Sequence, residues 1–246
     1  MNKITSIFII LIILISASCS SKKKEVKNAA TEYKKAMKIL KDRRYFEAAT
    51  KFEELSDEYP LSEWSIKGQA IAAYAFFAEE NYTEVIRVAS EFKTLYPGNH
   101  YMPYIQYMKA LSHFNLMPNV KRGQDDTKMS SSDFRELIAR FPRSKYIKDA
   151  KDKLIKIDEN LAGSIMSSAR YQMNNQNYIG AIMNFNKVIY RYARTNQAQE
   201  AYVRLYEIYY KLGIANMVKE TKDEMLKNYQ DGYWVRYIKK ITNNKK

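Results

Sequence analysis

Three kinds of side chain in this 246-residue sequence could do chemistry: a thiol, two imidazoles and several paired carboxylates. Cys19 is the only cysteine, so an internal disulfide is impossible and its thiol is left for modification. His100 and His113 have no second His or Cys at metal-ligand spacing. The acidic pairs Glu53-Glu54, Glu79-Glu80 and Asp125-Asp126 are adjacent. On a helix such neighbours point in different directions, so they read as solvated rather than as an acid/base couple. No Gly-rich phosphate loop, G-x-S-x-G elbow or H-E-x-x-H is present. The expectation is a chain without catalytic residues, cofactor or metal.

Cys19 gains its meaning from what precedes it. Lys3 supplies a positive start, Ile4 to Ile15 a hydrophobic stretch, and Ser16-Ala17-Ser18 the small residues before a peptidase cut. Twelve helical residues span about 18 Å against a hydrocarbon core of about 30 Å, too short for a permanent crossing. The segment resembles a bacterial lipobox, in which the thiol after the cut is acylated and becomes the new N-terminus; Ser16 stands where leucine is usual. Residues 1–18 thus read as a lipoprotein signal peptide and 19–28 as a lipidated linker, whose Lys22, Lys23 and Lys24 would lie over lipid headgroups. Ser20 is not the aspartate that retains many such lipoproteins in the inner membrane. The expected location is the periplasmic side of the outer membrane.

The formal charge of +14 invites a nucleic-acid reading. The basic residues are nevertheless spread along the chain among 27 acids, and an exported lipoprotein does not meet cytoplasmic nucleic acid, so none is expected as a partner. Seven glycines and five prolines are too few for an all-β fold.

The elements that must position any surface show themselves as a repeat. Tyr59-Pro60-Leu61-Ser62, Tyr96-Pro97-Gly98-Asn99, Phe141-Pro142-Arg143-Ser144 and Tyr192-Ala193-Arg194-Thr195 share one pattern, the first two 37 residues apart. Fourteen residues before three of these aromatics stands Tyr45, Tyr82 or Tyr178, and twenty-three before them Ala36, Ala73 or Ala169. The small residue suits a close crossing of helix A with helix B, the tyrosine opens B, and the aromatic-Pro closes it. Ser62, Asn99, Ser144 and Thr195 are then expected to cap the next A helix.

Such pairs are tetratricopeptide-like, and the sequence predicts an all-α solenoid of five pairs over about 29–62, 63–99, 100–144, 145–195 and 196–232, with a C-terminal tail beyond. Excess spacing before Phe141 is assigned to a loop over Asn119–Thr127. The excess of 14 residues before Tyr192 is assigned to one long helix from Tyr146 to about Met173.

Solenoids of this kind bind extended segments along the wall formed by their A helices. Counted from the small residue, the inward positions are Tyr33 and Met37, Tyr74 and Phe77, and Tyr104 and Tyr107, with Lys67 and Lys109 nearby. An aromatic wall with basic residues suits a peptide ending in an aromatic and a carboxylate.

Several segments carry a family resemblance: Tyr104-Ile-Gln-Tyr107-Met-Lys-Ala-Leu111, Arg122-Gly-Gln-Asp-Asp-Thr127, Phe134 to Ser144, Leu161-Ala162 and Asn177-Tyr-Ile-Gly-Ala-Ile182. With the lipobox and five repeats, they make the chain similar to the BamD family of outer-membrane β-barrel assembly lipoproteins. The resemblance implies a scaffold that binds a BamA-type barrel subunit through its C-terminal repeats, alongside accessory Bam lipoproteins. It also implies recognition of the C-terminal signals of unfolded outer-membrane proteins. Arg122-Gly123 replaces the family's usual Arg-Asp, and Asn184 replaces an arginine that helps dock the barrel subunit. Asn184, Lys187 and Arg191, sharing one helix face, are the expected docking residues. The alternative is a tetratricopeptide lipoprotein that scaffolds or regulates cell-wall synthesis enzymes.

Overall fold

The computed structural model describes residues 28–243, all helix and turn. Cys19 and the signal segment lie outside the described residues. Eleven helices follow in order: α1 (Ala29–Lys41), α2 (Tyr45–Glu58), α3 (Glu63–Ala78), α4 (Tyr82–Leu95), α5 (Met102–Asn115), α6 (Asp125–Arg140), α7 (Ile147–Asn174), α8 (Tyr178–Arg191), α9 (Asn196–Lys211), α10 (Ala215–Asn228) and α11 (Tyr233–Asn243). They form five antiparallel pairs plus a closing helix, so the stretch after 232 expected as a tail is structured as far as Asn243. Val235 and Ile238 of that helix are buried, at 1% and 0% exposure, among residues of α9 and α10.

The repeat marks translate directly into helix ends. Tyr45, Tyr82 and Tyr178 are each the first residue of a B helix. Tyr59, Tyr96, Phe141, Tyr192 and Tyr229 are each the C-cap of one, with φ near −130°. Ala36, Ala73, Ala110 and Ala169 are fully buried where A meets B. The turns of repeats one, two, four and five hold a left-handed residue two positions before B: Arg43, Glu80, Gln176 and Gly213. Only the last is glycine, so three of these turns carry no residue type that announces them.

Adjacent turns are tied through their aromatic caps. The Tyr96 hydroxyl donates to Pro60 O at 2.9 Å, and the Tyr229 hydroxyl to Ala193 O at 2.7 Å, each reaching back one repeat. Tyr96→Phe should therefore cost about 1 kcal/mol with the ring left in place. Urea denaturation of the purified chain measures it, and an unchanged midpoint would show that this bond contributes nothing.

The capping expectations hold unevenly. Ser62 caps α3, its Oγ accepting from Trp64 N. Asn99 and Ser144 stand two residues short of their helices: they accept from Tyr101 N and Tyr146 N, and those tyrosines are the N-caps of α5 and α7. Thr195 does not cap with its side chain: its hydroxyl turns back to Tyr192 O at 2.7 Å. The free N–H of Asn196 is satisfied instead by Glu159 Oε1 of α7, at 2.8 Å. That carboxylate lies 37 residues earlier in the chain, and such a cap exists only after packing.

The long helix is present as α7, 28 residues and about 42 Å long. The predicted loop is shorter than expected, since Asp125 to Thr127 already belong to α6. Acidic residues are favoured at a helix start, and Thr127 Oγ1 donates to Gln124 Oε1 at 2.8 Å to fix the first turn. The remaining loop rests on α7. Asn160 Nδ2 donates to Pro118 O at 3.2 Å, and a Cβ built at Gly163 would sit 3.2 Å from Val120 Cγ1. Glycine at 163 leaves the room that Val120 occupies.

The backbones of successive A helices (α1, α3, α5, α7, α9) come close to one another, whereas successive B helices reach each other through long side chains, Arg87 to Glu53 and Lys93 to Glu136. The stack therefore curves with its A helices on the inner side.

Candidate peptide groove and docking face

The inner side carries a groove of about 530 Å³ built from α1, α3, α5 and the turn before α7. Met37 and Leu40 line it from α1, Ile71 and Tyr74 from α3, Tyr104 from α5, and Tyr146 from the turn. Lys67 and Lys145 stand at its edges with His100 and Tyr101. Lys67 Nζ lies 5.3 Å from the centre of the Tyr33 ring and 6.0 Å from that of Trp64, and Lys145 Nζ 5.2 Å from that of Tyr146. Contacts of this type orient an ammonium without neutralising it. Burial pushes the Tyr104 hydroxyl well above the usual tyrosine range, helped by Tyr146 and Tyr74, so it stays protonated. The site is thus an apolar, aromatic trough with two cations.

Of the six expected wall residues, Met37, Tyr74 and Tyr104 line this groove, and the other three are engaged elsewhere. Tyr33 is 7% exposed, packed between Phe52 and Trp64 at 5.7 and 5.0 Å. Phe77 packs edge-on to Tyr82 at 5.3 Å. Tyr107 stacks on Tyr146 at 4.5 Å and donates its hydroxyl to Asp149 Oδ2 at 2.9 Å. The reason is angular. At about 100° per residue, one position after the small residue (Met37, Tyr74) and six before it (Lys67, Tyr104) fall within about 20° of each other. Three before (Tyr33, Tyr107) and four after (Phe77) are rotated away by roughly 40–80°, toward the partner helices.

Lys109 is not at the groove; its Nζ is 4.0 Å from Asp133 Oδ1 on α6. His113 is buried, with Nδ1 2.9 Å from Asp126 Oδ1. Sequence reasoning missed Tyr146 and Lys145. They belong to a turn whose approach to α5 follows from the stacking of Tyr146 on Tyr107.

A second surface lies on α8. Asn184 Nδ2 donates to Gln172 Oε1 at 2.9 Å, while Lys187 and Arg191 are exposed. Beside them runs an apolar stripe at i, i+4 and i+11 of the same helix: Ile179, Met183 and Tyr190, the last 76% exposed. Arg191 also opens onto a cleft of about 680 Å³ between α6, α7 and the turn after α8, edged by Arg135, Lys151 and Arg194.

A stack of helix pairs with an aromatic groove inside and an uncovered helix face outside defines an interaction scaffold. Residues 25–226 match the family described as YfiO, outer membrane lipoprotein. The chain is 30% identical over 247 residues to the outer membrane protein assembly factor BamD of Rickettsia prowazekii (strain Madrid E), with 98% of each chain covered. It is 32% identical over 188 residues to the BamD of Caulobacter vibrioides, covering 76% of this chain and 62% of that one. The BamD of Neisseria meningitidis serogroup A is 30% identical over 207 residues, covering 80% and 78%. The chain belongs to the BamD family.

Proposed function

We propose that this protein is the lipid-anchored scaffold of outer-membrane β-barrel assembly; its relatives are named outer membrane protein assembly factors. The observation that carries the reading is the family match, which runs across every repeat that builds the groove and the docking face. The work is binding rather than turnover. Acylation of Cys19 holds the solenoid at the periplasmic side of the outer membrane. The groove takes an extended C-terminal segment of an unfolded barrel protein, its aromatic side chain against Tyr74, Tyr104 and Tyr146 and its carboxylate toward Lys67 or Lys145. The α8 face, through Asn184, Lys187 and Arg191, docks the BamA-type barrel subunit. Ile179, Met183 and Tyr190 supply the apolar contact that such an anchor needs. Accessory Bam lipoproteins complete the assembly.

Affinity purification from outer membranes should recover a large barrel protein with periplasmic repeats. Its consistent absence overturns the assignment, and recovery of peptidoglycan enzymes in its place supports the cell-wall alternative. Tyr190→Ala combined with Arg191→Glu should lower that recovery about tenfold, as loss of one apolar anchor and reversal of one rim charge do at ordinary interfaces. Both side chains are exposed, so the melting temperature should stay unchanged.

A further inference from the structure

We infer that the outer face of α11 is a docking surface for an anionic phospholipid bilayer. The helix closes the stack, and among the described residues nothing packs on the side opposite Val235 and Ile238. That side presents Tyr233, Arg236 and Lys240 at i, i+3 and i+7, with Lys239 next to them, all exposed. Tyr233 is 64% exposed. Trp234 and Tyr237 flank it, at ring distances of 5.0 and 6.4 Å from Tyr233. Arg204 of α9 sits 5.2 Å from the centre of the Trp234 ring and holds it in place.

The charge on this face has one sign. Residues 232–243 contain three basic side chains and no acid. The nearby carboxylates belong elsewhere or are outnumbered. Asp231 Oδ1 is 2.7 Å from Arg236 Nη1, and both side chains are largely in water. Glu207 on α9 pairs with Arg204 at 2.9 Å and accepts the Tyr237 hydroxyl at 3.4 Å. A terminal cap needs only polarity to stay soluble, and either sign of charge would serve. Lysines with amphipathic rings, and with the aliphatic side chains turned inward, suit a surface of lipid phosphates. A protein interface core is instead depleted in lysine. With an acyl group at Cys19, the chain would be held at both ends of the solenoid and would lie along the membrane.

The test is flotation of the full chain carrying Cys19→Ser, so that no acyl group contributes. The probes are vesicles of phosphatidylcholine alone and vesicles with about one third phosphatidylglycerol. A second chain adds Arg236→Glu, Lys239→Glu and Lys240→Glu. The signal segment and Lys22–Lys24 are common to both chains, so the difference reads α11. Charge reversal should lower binding to the anionic vesicles at least about tenfold, and salt should lower binding of the unreversed chain. Equal binding of the two chains, or equal binding to neutral and anionic vesicles, overturns the inference. If the triple variant melts early, Lys239→Gln with Lys240→Gln decides: about threefold loss sustains the inference and no loss ends it. Peptide titration of the groove is read separately, so failure here leaves the assembly role untouched.

Discussion

Alanine at Tyr74 and Tyr104 together should weaken binding of a barrel-protein C-terminal peptide by about thirtyfold or more. Each ring offers a large apolar area that a docked segment would cover, and losing one such contact costs on the order of 1–1.5 kcal/mol. The two side chains face the same trough from α3 and α5, so one peptide residue can meet both. Fluorescence titration with a synthetic peptide measures the loss. Unchanged affinity in a folded double variant would move the site off this wall. Two controls separate binding from folding. Tyr107→Phe should cost about 1 kcal/mol of stability, through the lost bond to Asp149, and leave peptide affinity as it was. Lys67→Gln with Lys145→Gln should weaken a free-acid peptide several-fold but not its C-terminal amide, because only the former carries the charge that an ammonium recognises.

Phe134→Ala is the second large effect, an expected loss of about 3–5 kcal/mol. The ring is fully buried in the middle of the solenoid, in a small cluster with Ala110, Leu137, Ala150, Ile157 and Leu161. The clusters on either side, built around Phe52, Phe76 and Phe92 and around Phe185, Tyr202 and Tyr206, are much larger. In a stack where each repeat touches only its neighbours, the weakest interface sets how far unfolding propagates. The variant should therefore unfold in two steps, the α1–α5 part and the α8–α11 part melting apart. Hydrogen exchange across a urea series resolves this. A single transition at the original midpoint would show that Phe134 does not couple the halves.

The fold was legible because its signals are local. An aromatic followed by proline stops a helix wherever it occurs, and a small residue marks a close crossing whatever crosses it. Tyr45, Tyr82 and Tyr178 could thus be placed at helix starts without knowing their neighbours. The 14-residue excess before Tyr192 could be read as a longer helix because its apolar spacing stayed helical. Where a local signal was absent the reading lapsed. Arg43, Glu80 and Gln176 adopt left-handed turns that their residue types do not advertise. The last helix lacks the aromatic-Pro mark altogether.

The groove was half legible for a different reason. Offsets from a buried alanine separate inner from outer faces only when the same offset is used in every repeat. Mixed offsets placed Tyr33, Phe77 and Tyr107 in a wall they do not line. The sequence by itself determined the class: helix pairs at a 37-residue step and one lengthened helix, both fixed by periodicity along the chain. Tertiary structure alone decided which tyrosines remain available, that Glu159 caps α9, and that Lys145 and Tyr146 meet the α5 wall. These depend on distances between residues far apart in the chain, and packing sets those distances after the helices have formed.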